Sequence, residues 1–266
     1  MRNWFNNFRT QLFKIIRYTF FRRIVPFMCF LNRFKILYGK GLSIYVKDRQ
    51  GKAHKKCIIV GTGPSLRPED IIELKSRGYE IFGVNGLIKW VDQGIINIDY
   101  FVLQDYQVFA AIEKLWKQNT HKIVSFIGTT IKYKRPFLKG ANIYSYPLNM
   151  LDHYKADFFE PYNTYFSDNA KECVYDGYTV VYSAVQIAYS MGYTRIGLLG
   201  IDAGYSDEVS KRNVMNINKI DPTYKKAGDR INYSLGVASD FLSKRSVELV
   251  NYTRGGNLNT VRRAKW

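Results

Sequence analysis

Histidine, cysteine and proline are scarce in this chain, which holds three, three and seven of them among 266 residues. Cys29, Cys57 and Cys173 are odd in number and form no Cys-x-x-Cys pair, so neither a disulfide frame nor a metal site is indicated, and a reducing cytoplasm is the simplest compartment. Acidic residues are nearly missing from the first 56 positions, where fourteen Lys and Arg stand against Asp48 alone; +13 of the formal +18 charge therefore sits in the first fifth of the chain. No Asp-x-Asp pair occurs anywhere, nor a Walker loop, nor a complete Gly-x-Gly-x-x-Gly. In the first 40 residues the apolar stretches are cut by Arg22, Arg23, Pro26 and Arg33, so none approaches the roughly 20 uncharged residues of a spanning helix. No small-residue cleavage site of a signal peptide follows them.

What remains is an apolar content of 46% with ordinary charge density, the composition of a folded globular body. Trp4, Phe8, Leu12, Ile16 and Phe20 recur every four residues and give the basic N-terminus an aromatic stripe. Two readings fit residues 1–52: an interfacial segment lying on an anionic membrane surface through residues 1–40, or a helical hairpin packed on its own domain. The first places the protein peripherally on the cytoplasmic face of the inner membrane. Nucleic acid is not an expected partner, because no base-stacking module or zinc signature accompanies the charge.

Residues 53–266 read as one domain. Short runs rich in Val, Ile and Tyr predict strands near 57–61, 80–85, 99–104, 122–127, 142–146, 195–200 and 247–251. Helical patterns fall at about 68–77, 106–118, 180–191 and 232–245. The alternation predicts an α/β fold, a Rossmann-like and mostly parallel sheet with helices on both faces. In such sheets ligands bind beyond the carboxyl ends of the strands, so the strand ends name the candidates.

The first strand ends in "GTGPSL": Gly61 and Gly63 permit a tight turn and close backbone approach, and Pro64 and Ser65 suit a helix start that attracts anions. Thr62 stands between the glycines. Pro64 and Leu66 break the dinucleotide fingerprint. Asn85 tips the second strand and Gln104 and Asp105 the third, and for Asn85 and Asp105 an Asx turn is the competing explanation. In "DGYTVVYSAVQIAYSMGYTRIGLLGID", Thr179 caps a helix that Gly192 ends, and the following strand delivers Gly200 and Asp202 to the same edge.

Taken in order, "IIVGTGPSL", "GVNG", "YTVVYSAVQIAYSMGYTRIGLLGID" and "VELVNYTRGGNL" resemble the bacterial sialyltransferases of glycosyltransferase family 42. They are equally similar to a wider superfamily that includes motility-associated flagellin glycosyltransferases and an archaeal 6-hydroxymethylpterin diphosphokinase. The resemblance implies that Thr62 and Gly63 approach the phosphate or ribose of a CMP-sugar and that Asn85 lies on its phosphate side. It gives Thr179 the donor sugar and Gly200 and Asp202 the cytidine and ribose, with Asp105 near a donor-binding position. Residues 203–231 would form a lid, and relatives of this type make a homo-oligomer a further expectation.

The histidine that serves those sialyltransferases as base late in the lid is missing, and Arg230 falls about there; an arginine cannot take the proton. His153, Asp229 and Asp207 are the candidate bases. Tyr205 and Tyr224 are candidates for the leaving phosphate. Without Asp-x-Asp, a monophosphate leaving group held by helix N–H groups and tyrosine hydroxyls is expected, with no metal. The expected activity is transfer of a nonulosonic acid from a CMP-sugar to a cell-surface glycan or glycolipid, as in lipopolysaccharide or capsule synthesis. A pterin diphosphokinase-like phosphotransferase, with Asp105 and Asp202 on Mg-ATP, and a non-catalytic nucleotide-binding protein are the alternatives.

Overall fold

Runs such as Cys57-Ile-Ile-Val60 and Tyr100-Phe-Val-Leu103 are apolar without alternation, the pattern of strands covered on both faces. In a computed structural model, residues 40–47, 55–135, 137–150, 162–204 and 226–266 are described, with Leu12, Ile16, Thr19, Phe20, Phe27, His153 and Met215 singly. The elements are α1 (Leu42–Lys47), β1 (Lys55–Val60), α2 (Pro68–Ser76), β2 (Glu80–Val84), α3 (Ile88–Asp92), β3 (Tyr100–Leu103), α4 (Tyr106–Asn119), β4 (Val124–Gly128) and α5 (Thr129–Lys134). Then come β5 (Ile143–Tyr146), β6 (Leu148–Asn149), β7 (Val174–Tyr175), α6 (Val180–Ser190), β8 (Tyr193–Leu199), α7 (Ala227–Ser243) and β9 (Glu248–Asn251).

Seven strands form one sheet in the order β5-β4-β3-β2-β1-β8-β9, and every neighbouring pair is parallel. All seven expected strands are present, and the fold is the Rossmann-like α/β arrangement. Period-two geometry sorts β1 between two cores: Cys57 and Ile59 pack beneath α6 and α7, while Ile58 and Val60 face the side covered by α2, α3 and α4. Of the second core, Trp116 is the largest fully buried side chain, and its indole N–H donates to Ser125 Oγ at 3.0 Å.

From β1 the chain builds outward through β2, β3, β4 and β5, then returns to lay β8 against the other side of β1. The reversal of strand order falls between β1 and β8, and the carboxyl ends of strands at such a switch point are where open α/β sheets hold ligands.

Three features differ from the expectations. Helix α7 starts at Ala227 rather than near 232, so residues 227–231, expected as the end of the lid, are its first turn. Gly228 is tolerated there because a β-carbon on it would lie 2.4 Å from Ala203 O. The pair β6 and β7, two residues each, and the short helices α3 and α5 were not foreseen. Within the expected N-terminal segment, Leu42 and Val46 of α1 belong to the first core, and Ser145 N of β5 donates to Lys40 O at 2.9 Å. Of the aromatic stripe, Leu12, Ile16 and Phe20 are helical and exposed; Trp4 and Phe8 lie outside the described residues. No helix among the described residues is long and apolar enough to cross a membrane.

Candidate functional site

Beyond Val60 the backbone continues the pairing of β1 with β8 into two turns: Gly61 N donates to Leu199 O at 2.8 Å, and Gly63 N to Gly200 O at 2.9 Å. Both glycines are required by proximity. A β-carbon on Gly61 would lie 2.4 Å from Ile201 Cδ1, and one on Gly63 would lie 1.9 Å from Asp202 Oδ2. Gly200 itself has φ +66, a conformation glycine adopts without strain. Asp202 is 7% exposed, and its Oδ2 accepts from Ser65 N at 3.3 Å. Thr62, between the two glycines, is part-exposed. The Ser65 hydroxyl is buried and meets no partner among the described residues.

Helix α2 begins just after, with Pro68 in its first turn and no side-chain cap from Arg67. Glu69 and Asp70 already complement its dipole, and Asp70 is held by both Arg254 Nε (2.8 Å) and Nη2 (2.6 Å). In the 61–65 turn, Gly61 N, Gly63 N and Ser65 N already donate within the protein and Pro64 has no N–H, so the Thr62 N–H and the Ser65 hydroxyl are the groups of this turn left to meet an anion.

A third turn, after β9, completes the mouth. Ile201 N donates to Thr253 Oγ1 (3.0 Å), Asn257 N to Asp202 O (2.6 Å), and Thr253 N to Asn251 Oδ1 (2.9 Å). Gly256, at φ +76, passes so near Asp202 that a β-carbon would stand 2.2 Å from its carbonyl oxygen. Sequence reasoning gave Thr253, Arg254 and Asn257 no role, although the Gly255-Gly256 doublet after the last strand was a signal of close backbone approach.

Over the end of β3 lies a second cluster. Asp105 is the N-cap of α4, accepting from Gln107 N (2.7 Å) and Val108 N (3.3 Å), so the structure gives it a capping task. Gln104 turns toward α6: its Oε1 accepts from Ser183 Oγ at 2.8 Å, which fixes the amide so that Nε2 donates to Asp176 Oδ1 at 2.8 Å. Tyr146 OH donates to Leu103 O at 3.2 Å, and burial holds that phenol well above its ordinary range.

Asp176 is 2% exposed and was not foreseen as a site residue. Its Oδ2 accepts from Tyr178 N (2.9 Å) and contacts His153 Nδ1 (3.1 Å). With Asp176 Oδ2 as the acceptor, Nδ1 is the ring nitrogen that donates, which directs His153 Nε2 away from the carboxylate. The histidine side chain is 39% exposed. Thr179 caps α6, accepting from Val181 N at 3.3 Å, and its own N–H donates to Asp176 O. Thus one short stretch carries a helix N-terminus and the carboxylate that meets His153. The signal in sequence was Asp176-Gly177 ahead of Thr179, which reads equally as an ordinary turn.

Asn85 begins a single 3-10 turn with φ +51, at the end of β2. Nearby, Lys89 Nζ donates to Met215 O at 2.5 Å, and the Met215 side chain is buried in the second core. A residue of the expected lid is therefore seated beside α3. Asp229 is exposed on the first turn of α7, where Gly228 abuts Ala203. Tyr205, Tyr224 and Asp207 lie outside the described residues. Among the described residues no group of three or more His, Cys, Asp and Glu could hold a metal ion.

The family model described as 6-hydroxymethylpterin diphosphokinase MptE-like matches residues 30–208. Among five solved chains that match is a MAf glycosyltransferase from Magnetospirillum magneticum AMB-1, 15% identical, with a TM-score of 0.51 over 80% of this chain. The alignment spans 34% of that glycosyltransferase, and at this identity the likeness is one of fold. No curated protein matches. Both matches fall in the wider superfamily that the sequence motifs resemble.

Proposed function

The chain belongs to the MptE-like family, and from that premise we propose that it is a glycosyltransferase moving a nonulosonic acid from a CMP-sugar to a glycan or glycolipid acceptor. The observation that carries the reading is the His153–Asp176 pair beside the N-terminus of α6, on the same edge of the sheet as the Gly61–Ser65 turn. A transfer to a hydroxyl needs both a seat for an anionic donor and a base for the acceptor.

In this mechanism the acceptor oxygen attacks the anomeric carbon while the bond from that carbon to the CMP phosphate oxygen breaks, its electron pair leaving with CMP. The acceptor proton passes to His153 Nε2, and Asp176 stays ionised to stabilise the imidazolium. The Thr62 N–H and the Ser65 hydroxyl receive the phosphate. Thr179 and the α6 N-terminus receive the sugar carboxylate, and Asp202 the ribose. Residues 1–40 would hold the enzyme at an anionic membrane surface where a glycolipid acceptor resides. With no Asp-x-Asp in the chain, the reading asks for no metal.

The family description favours a second reading, phosphotransfer from Mg-ATP. Magnesium needs one or two protein carboxylates with substrate phosphates completing its shell, and Asp202 and Asp105 are the residues to supply them. Asp105 would have to do so while capping α4.

One assay separates the readings: follow nucleotide release from CMP-sugars, UDP-sugars and ATP with and without chelator. Release from a CMP-sugar that survives chelation supports the transferase. Release from ATP alone, abolished by chelator, replaces it with the phosphotransferase.

A further inference from the structure

Four aromatic rings run in a row outward from the candidate base. His153 and Tyr178 have centroids 6.0 Å apart, Tyr178 and Tyr162 are 5.7 Å apart, and Tyr162 and Tyr233 of α7 are 6.2 Å apart. The planes are tilted by 36°, 59° and 54°, so the row is a stepped surface rather than a packed stack. Tyr233 is 36% exposed, and Tyr162 and Tyr178 are part-exposed.

The middle of the row is held at a cost. Tyr178 has φ +67, a conformation in which a bulky side chain is a true outlier, and such strain persists only where the surroundings impose it. Its N–H is taken by Asp176, the carboxylate that also orients His153. Its hydroxyl donates to Asn163 O at 2.9 Å and accepts from Asn163 N at 3.3 Å. Ring and base are thus positioned by the same groups. Next to Asn163, Thr164 is 5% exposed, and its hydroxyl meets no partner among the described residues.

We propose that Tyr178, Tyr162 and Tyr233 form an acceptor subsite for the pyranose rings of a neutral oligosaccharide, with the reactive hydroxyl at the His153 end. A sugar offers an apolar face of C–H groups rimmed by hydroxyls. Tyrosine offers the matching combination, an apolar ring with a polar tip. An aliphatic partner would call for aliphatic surface, whereas the exposed and part-exposed residues of this row, with Asn163 beside it, are Tyr, His and Asn.

This assignment rests on the transferase reading for its purpose but is tested apart from it. Lactose is titrated into the full chain and followed by saturation-transfer NMR, with CMP titrated separately. Saturation transfer to lactose, with apparent affinity about tenfold weaker in Tyr162→Ala/Tyr233→Ala, is expected from the loss of two ring contacts. Tyr233→Ala alone, at an exposed position, weakens it severalfold and guards against misfolding of the double variant. Phe137→Ser, which removes an exposed ring elsewhere, leaves it unchanged. No transfer to lactose in the parent chain, or undiminished transfer in a folded Tyr233→Ala, overturns the subsite; so does binding of a Ser/Thr-rich peptide in place of lactose. Failure of CMP to bind while lactose binds counts against the transferase reading and leaves the subsite supported.

Discussion

Gly63 and Asp202 come from turns 139 positions apart, after β1 and β8, yet a β-carbon on Gly63 would stand 1.9 Å from the carboxylate oxygen of Asp202. That oxygen cannot retreat freely, because it accepts from Ser65 N and its own backbone is gripped by Asn257 N. Gly63→Ala must therefore push the two turns apart. The expected cost is about 1–3 kcal/mol of stability, together with loss of CMP binding. Urea unfolding and calorimetric titration with CMP measure the two effects. Wild-type CMP affinity in Gly63→Ala would remove this mouth from the donor site.

The carboxylate of Asp176 serves three donors at once, from Gln104, His153 and Tyr178. Asn in its place has one acceptor oxygen, so an amide N–H must face another donor, and the His153 proton is no longer held on Nδ1. Asp176→Asn is expected to cost about 1–3 kcal/mol and to lower kcat by about 10²-fold or more, with the imidazole 15N shifts reporting a changed tautomer. His153→Gln should lower kcat by about 10²–10⁴-fold and leave donor KM nearly unchanged. An unaltered kcat in His153→Gln would move the base elsewhere, with Asp229 on α7 the next residue to test.

How much of this was legible in the sequence follows from how local each feature is. The strands were readable because Cys57–Val60 and Tyr100–Leu103 are buried on both faces and carry that in composition. Thr179 and Gly192 marked the ends of α6, since capping is a property of a few adjacent residues. Asp176 was not readable as a hub: its partner Gln104 lies 72 positions away, and Asp-Gly looks like any turn. The start of α7 was hidden for the same reason. Gly228 reads as a helix breaker until Ala203 O is seen to occupy the space of its side chain. Two-residue strands such as β6 and β7 are too short to show a period.

Acid should loosen the far edge of the sheet through Glu248. On β9 it meets Arg195 Nε of β8 at 2.6 Å and Arg262 of the C-terminal segment. Burial pushes its carboxyl up, but the hydrogen bond and charge of Arg195, joined by Arg262, outweigh that and hold it below its ordinary value near 4.5. A group so lowered contributes stability that is present above the unfolded value and is lost as pH falls through the folded one. The melting temperature is therefore expected to fall as the medium is taken below about pH 4.5, and Glu248→Gln to reduce the slope there. Identical slopes in the two proteins over that range would show that the pair contributes nothing, as some exposed ion pairs do.

Backbone strain at Tyr178 can be isolated by comparing two truncations of the same ring. Tyr178→Ala loses the contacts with His153 and Tyr162 and the hydrogen bond to Asn163, and still places a β-carbon at φ +67. Tyr178→Gly loses the same groups but adopts that φ without penalty. Glycine is therefore expected to be the more stable of the two by about 1 kcal/mol in urea unfolding. Both should lose lactose binding, because both lack the ring that the Asp176 carboxylate sets beside the base. Equal stabilities would mean that the backbone at 178 relaxes on truncation, and the inference that a tyrosine is kept there against its own preference would fail. A glycine variant as stable as the parent and unable to bind lactose is the outcome that ties the strain to the position of the ring rather than to the fold.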